Sequence, residues 1–267
     1  MSVVFLIGGT GNQLFTYASC QPQDKFSTVF LSPITRKLLN WTQHEQILTY
    51  QKPKFITQAL ALLVLCVDVV IAKSAGKSLL TTFDTRKIKT EPMLWEFCRL
   101  GYFQQSPERR AIIPITKQFK PRKQRGQIVI HVRGGDLLAQ EKTGQKAYGI
   151  LGAAYYRAAI LNAVTAIEKD GQSVEKLLVL TDDPSYAASL DLNAPWIPTP
   201  EIKTYSLRTT ISIAVGAHWF ISSSSTLSYW MIRMRYGVNS VAPSPFQLRH
   251  DYPALENCIR LELDETE

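Results

Sequence analysis

Short apolar runs that stop abruptly at glycine or polar residues recur along the chain, at residues 3–7, 128–132, 177–180 and 220–222. Runs of this length without polar alternation predict strands buried on both faces, as in a parallel sheet. Between them the period changes. Over residues 155–169, Tyr156, Ala159, Ile160, Ala163, Val164 and Ile167 recur at three- and four-residue spacings, which predicts a helix with one buried face. A second helix is predicted to open within TDDPSYAASL, where Asp183 can cap and Pro184 fits the first turn. A third is predicted over residues 227–234, after the serine run at 222–225. Strands and helices in alternation specify an α/β fold with parallel strands, whose ligands sit at the carboxyl ends of the strands.

Length and composition narrow this picture. With 267 residues, 45% of them hydrophobic, the chain can bury one large core or two smaller ones. The basic stretch KQFKPRKQRGQ at residues 117–127 has no apolar period and reads as the connection between two halves, residues 1–122 and 123–267. A net charge of +8 points to an anionic partner: phosphate, nucleic acid or a membrane surface. Cys20, Cys66, Cys98 and Cys258 show no C-x-x-C spacing, so free thiols in a reducing compartment are expected rather than disulfides or a zinc site. The first apolar run lacks a basic flank, so no secretory leader is expected and the chain reads as cytoplasmic. The most apolar segment, residues 59–72, carries Asp68 and falls short of the roughly 20 apolar residues of a spanning helix; it is expected to be a buried helix or strand pair.

Four loops at predicted strand ends could carry chemistry. IGGTGNQ lacks the Gly-Lys-Ser/Thr of a phosphate-binding P-loop. It half-matches a dinucleotide fingerprint through Gly9 and Gly11, but Leu14 holds the third glycine position, which leaves a nicotinamide-dependent reductase as a minor reading. Its glycines let backbone amides approach a ligand, and Asn12 and Gln13 offer side-chain donors. In IVIHVRGGDLL the alternation of a strand places His131 and Arg133 on one side, and the planar guanidinium suits a diphosphate. Asp136 can orient it; an internal Arg133–Asp136 ion pair without a ligand is the plainer alternative. FISSSSTLSYW supplies hydroxyl and amide donors at a helix start. In LLVLTDDP the adjacent Asp182 and Asp183 point apart and lack the D-x-D spacing that would share a metal ion, so no metal is expected.

In this order, and together with GYFQ at 101–104 and YYRAAI at 155–160, the loops resemble glycosyltransferase family 11, the alpha-1,2-fucosyltransferases. The family's opening GGLGNQxFxYA matches residues 8–18 at nearly every defined position. Its H-x-R-R-G-D, D-D-P, S-S/T-F-S-W-W and A-P elements resemble HVRGGD at 131–136, TDDP at 181–184, SSTLSYW at 224–230 and VAPSPF at 241–246. Gly134 stands where the second arginine stands, Thr209 or Thr210 where the family carries an aspartate facing the guanine, and Leu227 where it carries an aromatic.

The resemblance implies a GT-B architecture of two facing Rossmann-type domains, an acceptor-side residue 1–122 domain and a donor-binding 123–267 domain. It implies inverting, metal-independent transfer of fucose from GDP-fucose to a galactoside acceptor in surface glycan synthesis, without a cofactor. Arg133 is then expected at the donor diphosphate, with His131 beside the nucleotide. Ser224, Ser225 and Thr226 are expected on phosphate, and Gly9, Gly11, Asn12 and Asp183 in the donor site. Arg133 and Asp136 are the expected catalytic residues, with Asp136 and Glu91 the candidates for a base that the departing phosphate can make dispensable. The acceptor is expected to be a glycan, lipid-linked or not, reached through peripheral contact of the basic surface with an anionic membrane. Nucleic acid is not expected as the partner. The departures leave a second reading: a nucleotide-sugar-binding or different-donor homologue whose fucosyl transfer is lost or altered.

Overall fold

The computed structural model describes residues 116–119, 121–135, 137–138, 150–244 and 255–262, three strands nearer the amino terminus, and single residues Gly11, Leu14 and Leu63. The chain divides into two compact units, Met1–Ile112 and Ile113–Glu267. In the first, β1 (Ser2–Phe5) lies between β2 (Phe26–Val29) and β3 (Cys98–Leu100), parallel to both. Gly11 and Leu14 follow β1 in helical conformation and are buried. Of the apolar segment 59–72 only Leu63 is described; it is helical and exposed.

The second unit contains β4 (Gln124–Val132), β5 (Lys176–Thr181), β6 (Glu201–Lys203), β7 (Ala217–Ile221), β8 (Ser240–Ser244) and β9 (Ile259–Glu262). Their order across the sheet is β6-β5-β4-β7-β8-β9, and every neighbouring pair is parallel. The chain starts in the middle, works outward to β6, then returns to the other side of β4 and works outward again. This is the doubly wound order, with its reversal between β4 and β7.

The helices occupy both faces, as that winding requires. Helix α1 (Ala153–Lys169) buries the six residues that its period marks, and Tyr155 with them. Together with residues around α2 (Pro184–Ser189) it covers Ile128, Ile130, Val132, Leu177, Val179, Trp219 and Ile221. The alternate strand residues Val129, His131, Leu178, Leu180 and Phe220 are buried on the opposite face. There α3 (Leu207–Gly216) packs on β4 and β7 and against α4 (Thr226–Met234). Burying both faces explains why the strands read as unbroken apolar runs.

The connection is shorter than its composition suggests. Residues 116–119 are helical, and Gln124 to Gln127 already belong to β4. The polar start of the strand is hidden by an irregularity: Gln124 pairs with Ala217 and Ile128 with Trp219, so β4 carries extra residues there. Gly126 takes the bend with φ of +64°. Its carbonyl still accepts from Glu175 N at 2.8 Å.

At the amino edge of the sheet, Arg235 follows α4 and joins the ends of three elements. Its Nη1 donates to the carbonyls of Ala214, Val215 and Ala217, at 3.0, 2.9 and 2.7 Å. Its Nη2 donates to His218, Val238 and Asn239, and its Nε to Ser240 Oγ. Burial alone lowers its pKa, to about 10, so the guanidinium stays charged at neutral pH. The turn into β8 then needs Gly237, whose φ is +76° and whose Cβ, if present, would lie 1.9 Å from the Glu256 carbonyl oxygen.

Candidate functional site at the reversal of the sheet

A reversal in strand order leaves the loops beyond two neighbouring strands diverging to opposite faces, which opens a crevice at their carboxyl ends. Here the strands are β4 and β7, and the loops are HVRGGD and the serine run. Hydrogen bonds tie them together. His131 Nδ1 lies 2.6 Å from Ser228 Oγ and 3.1 Å from Ser223 Oγ. Ser223 Oγ donates to Ser225 Oγ at 3.1 Å and lies 2.8 Å from Ser228 Oγ. Ser225 caps α4 by accepting from Ser228 N at 3.2 Å. All four residues are buried. Burial, the largest influence, lowers the His131 pKa to about 4, opposed by Asp182 and assisted by Arg133, so the imidazole is neutral at ordinary pH.

Arg133, the first residue past β4, is half-buried and by alternation shares the face of His131. Its charge is close enough to act on that imidazole. Next, Gly134 N donates to Asp182 Oδ1 at 3.0 Å, which binds the loop after β4 to the loop after β5. A Cβ on Gly134 would lie 2.8 Å from Tyr186 Cδ1 and 3.0 Å from Leu138 Cδ1. An aromatic ring cannot swing aside as a lysine tip can. The position that carries the second arginine of the family motif therefore has no room for a side chain here.

The two adjacent aspartates divide as their spacing suggests. Asp183 accepts from Tyr186 N at 3.0 Å and caps α2, while Asp182 holds Gly134. Asp183 is thus engaged as a cap, and Asp182, whose role no local pattern signals, is the one tied to the arginine loop. Ser224 is buried, Ser225 caps α4, and Thr226 is the first, half-buried residue of that helix. Gly11 lies in the first unit; Gly9, Asn12, Glu91 and Asp136 lie outside the described residues. His131, Arg133, Ser224, Ser225 and Thr226 therefore gather at one sheet edge, and Asp183 stands one residue from it in role.

Two residues missed as site components brace this edge from the opposite face. Tyr155 OH donates to the Ser222 carbonyl at 3.0 Å and Tyr156 OH to the His131 carbonyl at 3.4 Å, one phenol for each side of the reversal. Burial raises both phenol pKa values, so both remain donors. The signal was visible: adjacent tyrosines at the head of an otherwise aliphatic helix face.

A cavity of about 770 Å³ opens at the amino edge, away from the reversal, and is lined by Lys123, Gln124, Arg125, His218, Arg235 and Asn239 among others. It carries none of the motif residues, and the Arg235 guanidinium in its lining is engaged by backbone carbonyls and the Ser240 hydroxyl. Among the described residues no three potential metal ligands cluster, and no helix is long and apolar enough to cross a membrane. Compared with known proteins, the chain matches no family model and no curated protein sequence.

Proposed function

We propose that the chain is an inverting glycosyltransferase of GT-B architecture that moves a 6-deoxyhexose, fucose from GDP-fucose, to a galactoside. One observation carries this reading: the HVRGG, D-D-P and serine-rich segments, three separate elements of the resemblance, are joined by hydrogen bonds beside the reversal of one parallel sheet, through His131 to Ser223 and Ser228, Ser223 to Ser225, and Gly134 to Asp182. Doubly wound sheets bind nucleotides there. In the transfer, the acceptor hydroxyl oxygen bonds to the anomeric carbon as the bond from that carbon to the diphosphate oxygen breaks. The electron pair leaves on the diphosphate, which also takes the acceptor proton. The growing charge meets Arg133 and the amides of Thr226 and Leu227, which have no acceptor within their own helix. Donors fixed before reaction favour the transition state over the ground state, and a charge-assisted hydrogen bond contributes about 1.5–3 kcal/mol. An undissociable cation can thus serve where other enzymes use a metal ion.

The test is nucleotide release from GDP-fucose with and without a galactoside such as lactose. Acceptor-stimulated release that Arg133→Lys largely abolishes supports transfer, because the variant keeps the charge and loses the bidentate fork. Tight binding of GDP-fucose with neither release nor transfer identifies a binding protein instead, the reading favoured by the closed space at Gly134.

A further inference from the structure

The hydroxyl cluster beneath the site has a direction, and that direction fixes which nitrogen of His131 carries its proton. Each serine hydroxyl has a single hydrogen to donate. Ser223 gives its hydrogen to Ser225 Oγ. The 2.8 Å contact between Ser223 and Ser228 must then be filled by the hydrogen of Ser228. With that hydrogen spent, only His131 Nδ1 can supply one for its own 2.6 Å contact with Ser228 Oγ. The 3.1 Å approach of Nδ1 to Ser223 is served by the same N–H. With Ser223 donating to Ser225, any other assignment leaves two lone pairs facing each other at hydrogen-bond distance inside the fold.

We propose that Ser228 and Ser223 are positioning residues that lock His131 as its Nδ1–H tautomer, leaving the Nε2 lone pair as a hydrogen-bond acceptor for the bound ligand. Nε2 has no partner among the described residues and is not one of the sealed polar atoms. A neutral imidazole presenting a lone pair repels a phosphate oxygen and selects a donor. His131 and Arg133 thereby divide the ligand, the guanidinium taking phosphate oxygens and the imidazole a hydroxyl of the ribose or of the transferred sugar. This division rests on the nucleotide-sugar reading given above; the tautomer itself does not.

The experiment is ¹⁵N NMR of the histidine-labelled full chain at neutral pH, with His131→Asn identifying the resonances among four histidines. The expected spectrum has Nδ1 protonated and Nε2 bare, and Ser223→Ala/Ser228→Ala shifts it toward mixed tautomers, with Ser228→Thr restoring it. A merely structural serine cluster would not move that signature. A protonated Nε2 in the wild-type spectrum overturns the proposal, and needs no variant to fold. Titrations with GDP, 2′-deoxy-GDP, 3′-deoxy-GDP and GDP-fucose locate the donor: the deoxy compound lacking the right hydroxyl binds about tenfold more weakly, or GDP-fucose alone shows the dependence on the serine pair. A bare Nε2 with no GDP binding overturns the nucleotide reading and the division of the ligand, while the tautomer lock stands.

Discussion

The two edges of the six-stranded sheet each hold a nitrogen-bearing side chain, half-buried Arg235 at one and buried His131 at the other, and they treat it in opposite ways. At the amino edge, the five N–H groups of Arg235 are shared among seven oxygens, all from its own chain. At the carboxyl edge, His131 has one nitrogen engaged twice and the other without a partner among the described residues. The hydrogen of Ser225 Oγ likewise has no described acceptor. A closed polar network rigidifies a fold, since every group removed leaves others unsatisfied. An open one keeps a polar atom available to solvent or to a ligand. Charge alone would have pointed to the amino edge, where Lys123 and Arg125 crowd the cavity; hydrogen-bond accounting points to the other.

The comparison breaks most visibly at Arg235. Replacing it with methionine strands its carbonyl partners, and a loss of about 3–5 kcal/mol is expected in urea unfolding, with no dependence on nucleotide. A loss under 1 kcal/mol would mean the network is not closed.

His131 supplies the next effect, through pH. The unfolded imidazole titrates near 6.5 and the folded one near 4, so between these values the unfolded chain binds more protons. Stability therefore falls as pH drops from 6.5 to 4, by about 3 kcal/mol in full. His131→Asn should flatten that slope in urea midpoints measured across the window; an unchanged slope would put the sensitivity elsewhere.

Gly134→Ala sharpens the contrast between this chain and the motif it resembles. The new methyl meets the Tyr186 ring, and a cost of about 2 kcal/mol is expected, seen as a lower melting temperature. An unaltered melting temperature would show that the ring yields and that an arginine could be accommodated.

Smallest in energy but most informative for function is Arg133→Lys. Unfolding stability should stay within about 0.5 kcal/mol while GDP affinity falls about tenfold, the loss of a fork with retention of charge. Equal affinity in calorimetry would remove Arg133 from the phosphate site.

Much of this organisation is legible in the sequence because the same physics writes both. The buried faces of α1 and the strand runs followed from hydrophobic period, and the Asp183 cap with Pro184 behind it followed from local geometry. What escaped was set by long-range pairing. The polar start of β4 is a strand only because an irregular register and Gly126 let it pair with β7. Strand β6, three residues long and half polar, is held by its neighbour β5 rather than by any pattern of its own. Strand β9 likewise reads as ordinary tail until β8 lies beside it. At the site, residue types were enough to single out His131 and Arg133, but not the contacts that span 97 residues from His131 to Ser228 or 48 from Gly134 to Asp182. The serine run was legible as a source of donors; that its hydroxyls point at an imidazole required the fold.

The most direct test of the central claim is calorimetric titration of GDP into the wild-type chain and into Arg133→Ala at equal ionic strength. Saturable binding at one site, weakened at least tenfold in the variant, is the result expected if the reversal of the sheet holds a nucleoside diphosphate. Absence of saturation in the wild type, or an affinity indifferent to Arg133, would contradict it.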